Sequence, residues 1–473
     1  MAWIPVRPPR RRWWWTVGAC LAHVCAWSSP CRADPPTTAP GCPGVAARVE
    51  ALLAQMTLEE KIGQLTQEWG GVREHDDPAV REQQEQAFLN SIRKGKVGAV
   101  LGAHGAERVN QLQRVAADES RLRIPLLVGN DVIHGYQTIF PIPLGEAATW
   151  DPPLIEQAAR VAAVEASAAG TRWTFAPMVD VCRDPRWGRI AEGAGEDPFL
   201  GSALAAARVR GFQGPDLTAP DAVLACAKHY VAYGGAEGGR DYNTVDLSPQ
   251  TLREVHLPPF EAAVRAGAGS VMSAFNEING VPASANEWTL TRILRQEWCF
   301  EGFVVSDWNS IAELVIHGFA ADRADAAALA LDAGVDMDMS SFCFRDHLTE
   351  LMDRGRVSAS ILDRAVRRVL TAKFRLGLFE HPYTDPQREP SVMLAPQHRA
   401  LARRVAARSM VLLKNEPAVL PLDPRVAKLA VIGPLGPSIW ASTTATWNSS
   451  SNPGPSRCGS VPTPPQGWRV ASP

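Results

Sequence analysis

Phe303-Val304-Val305-Ser306-Asp307-Trp308 decides how this chain is read. Gly302 precedes it, three apolar residues follow one another, and the run stops at a carboxylate beside an indole. So short an apolar run, bounded by Gly302 and by the polar pair Asn309-Ser310, predicts a buried strand. In a parallel α/β protein the polar residue that closes such a strand faces the ligand site rather than the core. Asp307 therefore reads as a nucleophile or base; taken alone, it reads equally as the cap of a helix opening near Ile311.

Working outward, the same kind of run recurs: 97–101, 124–128, 173–181, 223–227, 270–275, 303–305 and 335–339. Ala-rich segments at helical spacing, such as 154–169 and 324–333, lie between them. Strands alternating with helices imply βαβ units and a parallel sheet. Seven or eight units over about 290 residues suit a (β/α)8 barrel. No Gly-rich dinucleotide fingerprint follows an early strand, which argues against a doubly wound sheet.

The barrel is expected over 45–385. A capping box, Thr57 with Glu60, opens a helix reaching Leu65, and Ser358 caps the last barrel helix, which ends before Gly377. Residues 386–398 read as a linker and 399–435 as an incomplete start of a second α/β sandwich domain. Its first elements are a helix over 399–408 and strands over 410–413 and 429–433. Residues 436–473 are rich in Ser, Pro, Thr and Gly, lack Asp, Glu and Lys, and read as a disordered tail.

At the other end, Arg7 and Arg10–Arg12 precede an apolar run from Trp13 to Trp27, and Ala33 offers a cleavage site. Residues 1–33 thus read as a secretory signal, too short to span a bilayer, with 34–44 a flexible lead and a periplasmic or secreted product. Cys20, after Val17-Gly18-Ala19, faintly resembles a lipoprotein site. A net charge of −2 gives no basis for a nucleic-acid or anionic-membrane partner. Of nine cysteines, the six beyond the signal are scattered singly without metal-ligand spacing and read mostly as buried apolar residues. No metal and no cofactor are implied, and the oligomeric state is left open.

On a barrel the strand ends share one face. Here they carry Asn130-Asp131 and His134, then Arg183-Asp184 through Arg189, then Lys228-His229, Asn276 and Asp307. Carboxylates, cations and a histidine, with no Walker loop, Ser-His-Asp pattern or metal cluster, suit a neutral polyhydroxylated ligand. For single members a structural role is as good a reading: Arg183 and Asp184 as a salt-bridged turn, Lys228 as a stabilising pair. A strand-end Lys228 also admits a Schiff-base lyase or aldolase.

Lys228-His229-Tyr230, Arg183-Asp184-Pro185-Arg186-Trp187-Gly188-Arg189, Glu192-Gly193, Gly195-Glu196-Asp197 and Ser306-Asp307-Trp308 resemble the signatures of family 3 glycoside hydrolases. Asn130-Asp131-Val132-Ile133-His134-Gly135 and Glu237-Gly238-Gly239-Arg240-Asp241-Tyr242-Asn243-Thr244 resemble its bacterial periplasmic β-glucosidase branch. The resemblance runs over about residues 45–435, in the family's order. It implies retaining hydrolysis of terminal non-reducing β-D-glucosyl residues, with β-glucosides or β-linked oligosaccharides as partners. Asp307 matches the nucleophile; Asp131, Arg189, Lys228 and His229 match sugar-binding positions. Met272, Phe275 and Trp308 fall where the family lines the sugar site and its aglycone platform. Lys228 and Arg189 are expected to keep Asp307 ionised by lowering its pKa. The branch takes its acid/base Glu from the domain after the barrel, and the last side-chain carboxylates here are Glu416 and Asp423. The loop 231–243 also lacks the His that a related branch uses. The expectation is a truncated enzyme with a weakened acid/base step or, alternatively, a non-catalytic sugar-binding barrel.

Overall fold

The computed structural model describes residues 44–71, 75–423, 425–426, 428–429 and 440–441, which form two units, 1–410 and 411–473. The expected signal, 1–33, lies outside the described residues, as do 34–43 of the lead and all of the tail except Trp440 and Ala441.

The first unit is a TIM-like (β/α)8 barrel. Its strands are β1 (Thr66–Trp69), β2 (Ala99–Leu101), β3 (Leu127–Asn130), β4 (Trp173–Thr174), β5 (Cys226–Tyr230) and β6 (Ser270–Ser273). A side hairpin, β7 (Glu277–Ile278) and β8 (Val281–Pro282), precedes β9 (Phe303–Ser306) and β10 (Asp338–Met339). One parallel sheet runs β10-β1-β2-β3-β4 and another β5-β6-β9. They join at two seams. Trp173 pairs with Leu224 and Met178 with Lys228 on one side, and Val305 pairs with Met337 on the other.

The strands form where apolar residues dominate. Val304, Val305, Leu127, Val128 and Ala227 are fully buried. Gly129 on β3 has a close-approach role: a Cβ there would lie 2.7 Å from the Phe175 ring and 2.9 Å from the Trp173 ring. Trp173 packs edge-on against Phe175 and Phe303 across the barrel, and its Nε1–H donates to Ser270 Oγ at 2.8 Å. A packed aromatic interior leaves the chemistry to the strand ends.

The helix signals hold in detail. Thr57 and Glu60 form the capping box before Leu58–Gln64, and Ser358 Oγ accepts from Ile361 N–H at the start of Ala359–Arg375. Residues 152–168 and 323–333 are helical, as spacing predicts.

Three stretches of this unit differ from their reading in the sequence, the first of them unassigned there. Thr66-Gln67-Glu68-Trp69 is a barrel strand although three of its four residues are polar. Gln67 is fully buried, Thr66 Oγ1 is tied to Ile62 O, and Glu68 faces Arg345 across 3.5 Å. The run 173–181 is a strand only over Trp173–Thr174; Pro177 has no N–H to give to a ladder, and pairing resumes at the Met178–Lys228 bridge. Residues 386–398, read as linker, carry a helix Arg388–Val392 and the start of Pro396–Arg408, whose Leu401, Ala402 and Val405 pack with Leu154, Ala158 and Leu204. That packing is anchored by Glu165, fully buried on the helix Pro152–Ala168. Glu165 accepts from Gln137 N–H (2.9 Å), Thr138 N–H and Oγ1–H (2.7 Å each), Leu394 N–H (3.1 Å) and His398 Nδ1 (2.9 Å).

In the second unit Lys428–Leu429 pairs antiparallel with Trp440–Ala441. Residues 411–413, expected in a strand, are irregular and exposed; among the described residues no strand pairs with them. Cys182, Cys226 and Cys343 are buried free thiols, as read, whereas Cys299 is disulfide-bonded.

Lys373 is buried at the barrel foot, its Nζ donating to Gln64 Oε1 at 2.6 Å and Gly98 O at 2.7 Å. Both acceptors are neutral, and burial pushes its pKa down to about 7. The unfolded chain keeps the ordinary pKa of about 10.4 and binds more protons between those values, so this group makes stability rise with pH from about 7 to about 10. Lys373→Met should flatten that slope by up to about 1.4 kcal/mol per pH unit, read from urea unfolding at pH 7 and 9.5.

Candidate active site

Asp307 follows β9 directly and is buried. The helix after it, Ser310–Ile316, is preceded by Asn309 without a side-chain cap bond. Asp307 Oδ1 instead accepts from the N–H of Trp308 at 2.6 Å, and Oδ2 is buried with no hydrogen-bond partner. The helix-cap reading is therefore set aside.

From β5, Lys228 and His229 project beside it, both buried. Lys228 Nζ donates to Asp131 Oδ1 at 2.8 Å; Asp131 follows β3 and has a half-exposed side chain. Arg189 stands on a 3-10 turn, Gly188–Glu192, in the loop after β4. Its Nε and Nη2 donate to the two oxygens of Glu192 at 2.7 and 3.1 Å, and Nη2 also donates to His229 Nε2 at 2.9 Å. His229 Nε2 lies 3.6 Å from Asp307 Oδ2.

Phe275 sits in an aromatic group with Tyr233 (5.8 Å) and Tyr242 (4.7 Å), and the Arg189 guanidinium lies over Tyr233 at 5.6 Å. Trp308 is 47% exposed, able to offer a ring face to a ligand. Met272 pairs with Val305 across β6–β9 and is buried in the main core, beside the strand that leads to Asp307 rather than on an open wall. Asp184, by contrast, is held by Arg186 in an exposed turn, as the structural reading had it, though with Arg186 in place of Arg183. A cavity of about 910 Å³ lies elsewhere, among helices that include Pro396–Arg408, and none of these strand-end residues borders it.

Sequence reasoning passed over Asp180 and Tyr233. Asp180 is fully buried; its Oδ2 accepts from both the backbone N–H (2.8 Å) and Nδ1 (2.9 Å) of His229. Its signal was present, since Val179-Asp180-Val181 puts a carboxylate inside an apolar run, where charges are rare unless partnered.

The electrostatics correct one expectation. Burial pushes the Asp307 carboxyl up to about 6; Lys228, the Trp308 N–H and Arg189 pull it back, and Asp131 adds to the rise. The two cations oppose the shift as foreseen, but desolvation outweighs them. His229 is held well below the ordinary histidine value by burial, then by Arg189 and Lys228, and is neutral. Burial opposes the Arg189 charge, and the Glu192 carboxylate more than restores it.

A carboxylate raised from 3.8 to about 6 binds more protons in the folded than in the unfolded chain, so its stability contribution is present below about 4 and lost as pH rises through 6. At pH 7.5 that loss is roughly 3 kcal/mol at most. Asp307→Asn should therefore raise the thermal midpoint at pH 7.5, and the gain should shrink toward pH 4; calorimetry at the two pH values checks it.

Residues 57–372 match the glycosyl hydrolase family 3 N-terminal domain. The chain is 43% identical over 397 residues to a periplasmic beta-glucosidase of Salmonella typhimurium, covering 83% of this chain and 51% of that protein. It is 36% identical over 400 residues to a beta-xylosidase of Formosa agariphila, covering 82% and 50%. The crystal structure of a beta-glucosidase from Listeria innocua in complex with glucose superposes with a TM-score of 0.76 at 41% identity, covering 80% of this chain and 53% of that one. The chain spans about half the length of these relatives. With the barrel, its strand-end charges and a family match over most of its length, this chain belongs to glycosyl hydrolase family 3.

Proposed function

We propose that the barrel is the sugar-binding and nucleophile-bearing part of a retaining β-glucosidase that acts on terminal non-reducing residues. The observation that carries this reading is Asp307 Oδ2, a buried carboxylate oxygen with no partner, ringed by Lys228, Arg189 and neutral His229. Oδ2 attacks the anomeric carbon, the bond to the leaving oxygen breaks with its electron pair, and a glycosyl ester forms on Asp307. Water then attacks the same carbon, the ester bond to Asp307 breaks with its electron pair to return the carboxylate, and the proton released by the water passes to solvent, leaving the new sugar hydroxyl. Asp131, Lys228 and Arg189 hold ring hydroxyls, with His229 bracing the Arg189 guanidinium, and those bonds tighten as positive charge grows at the anomeric centre. Phe275 and the exposed Trp308 flank the sugar and the aglycone.

The retaining scheme also requires an acid/base carboxyl about 5 to 5.5 Å from the nucleophile. Asp131, whose charge acts on Asp307, is engaged by Lys228, so that role is given to no residue here. An activated aryl leaving group does not need it.

Glucoside rather than xyloside is favoured by the higher identity to the β-glucosidase relatives. Export belongs to the same reading, supported by the arginine-led apolar segment, the likeness to a periplasmic relative and the Cys299 disulfide. Among the described residues no helix is long and apolar enough to cross a membrane.

Treatment with 2,4-dinitrophenyl 2-deoxy-2-fluoro-β-glucoside should add one fluoroglucosyl group to the peptide carrying Asp307, and Asp307→Asn should take none. The rate of labelling should fall about tenfold per pH unit below about 6, as Asp307 protonates. A label on another residue refutes the assignment. Glucose binding by calorimetry with no label at any pH leaves a sugar-binding barrel instead.

A further inference from the structure

We infer that Asp180 is a positioning residue that fixes the tautomer of His229, and through it keeps one oxygen of Asp307 free to act as nucleophile. The inference rests on the proposed role of Asp307 and extends it to a carboxylate that no strand-end motif contains.

Arg189 offers His229 donors only. Arg189 Nη2 stands 2.9 Å from His229 Nε2, and a guanidinium has only N–H donors. Nε2 therefore accepts and carries no hydrogen. His229 is neutral, so its one ring proton sits on Nδ1, which donates to Asp180 Oδ2 at 2.9 Å. The same oxygen takes the His229 backbone N–H at 2.8 Å, which locks the ring and the main chain to one acceptor. Asp180 is fully buried, and its Oδ1 has no hydrogen-bond partner, so any proton the carboxyl takes sits there without disturbing the pair.

The consequence appears 3.6 Å away. Nε2, its lone pair taken by Arg189, has no hydrogen to offer Asp307 Oδ2, and Oδ2 is left without a donor. Were the proton on Nε2, it would point toward Oδ2, and a hydrogen bond to the attacking oxygen would be lost on the way to the transition state. With Nε2 accepting from Arg189, the His229 ring is fully engaged and leaves Oδ2 alone, while Lys228 and the remaining Arg189 N–H groups donate to sugar oxygens. Asp180 thus divides the site into donors and one acceptor.

The charged groups around His229 come from four elements. Lys228 projects from β5, Arg189 and Glu192 from the loop after β4, Asp131 from the end of β3 and Asp307 from the end of β9, where the Trp308 N–H completes its surroundings. None of them is altered by a change at Asp180 that keeps an acceptor in place.

The test uses the full chain with 15N-labelled histidine, the His229 signal being assigned by its loss in His229→Gln. At pH 7.5 the unchanged protein should show the Nδ1–H tautomer at His229. Asp180→Asn, which keeps one acceptor oxygen, should retain that tautomer and label with the fluoroglucoside within a few-fold of the original rate. Asp180→Leu should switch His229 to Nε2–H, slow labelling by about 10- to 100-fold, the range of one hydrogen bond to a charged group, and move the acid limb of the labelling profile to lower pH. A residue that only braces the fold would lower the melting temperature in both variants and leave tautomer and acid limb in place, which would overturn the inference. An Nε2–H or doubly protonated His229 in the unchanged protein would overturn it without any variant. If the unchanged protein takes no label, the nucleophile assignment has failed, and the tautomer spectrum still decides the role of Asp180.

Discussion

The burial of the Asp307 carboxylate is the constraint to which the rest of the site answers. Removing an anion from water costs several kcal/mol unless charge is returned to it, and Lys228 and Arg189 return it. Each of these cations is itself withdrawn from water, Lys228 almost fully and Arg189 in part, and is held by a second anion: Asp131 for Lys228, Glu192 for Arg189. The result is a chain of alternating charge, three carboxylates and two cations, which sums to −1 with His229 neutral. In the proposed reaction a site with that balance stabilises positive charge more than the neutral sugar from which it develops, the direction in which glycosyl transfer needs help.

Barrel closure makes this possible. The eight strands are short, and the ladder thins to isolated bridges at two places, between β4 and β5 and between β9 and β10. The residues beside the first seam include Asp180, Lys228 and His229; beside the second stand Ser306 and Asp307. Backbone that is not spent on a regular ladder can turn its polar groups elsewhere. Ser306 Oγ accepts from Met339 N–H, and Lys228 O accepts from Val179 N–H, so the seams are still tied while the side chains next to them gather at the strand ends.

How much of this was legible depended on whether an apolar run announced the element. Phe303–Ser306 and Ser270–Ser273 are apolar enough to be read directly, and their ends led to Asp307 and its neighbours. Thr66–Trp69 was missed because its interior position is filled by Gln67, a residue that periodicity assigns to the outside. Asp180 was missed for the opposite reason: it sits within an apolar run, and only the fold shows that His229 lies against it. The direction of the Asp307 shift was misjudged because charges can be counted in a sequence and desolvation cannot. Residues 386–398 looked like a linker because they are polar and contain three prolines, yet tertiary bonds rather than local pattern fold them.

Those tertiary bonds redraw the minimum length of the barrel. Glu165 collects five hydrogen bonds, three from the loop behind Asp131 and two from Leu394 and His398. A chain cut at residue 385, where sequence pattern places the end of the barrel, would keep every strand and every proposed sugar contact. It would also strip a fully buried carboxylate of two of its donors and release one anchor of the loop that positions Asp131. The packed unit that carries the strand ends therefore extends through Arg408, and the proposed sugar site is mechanically continuous with a helix that lies outside it.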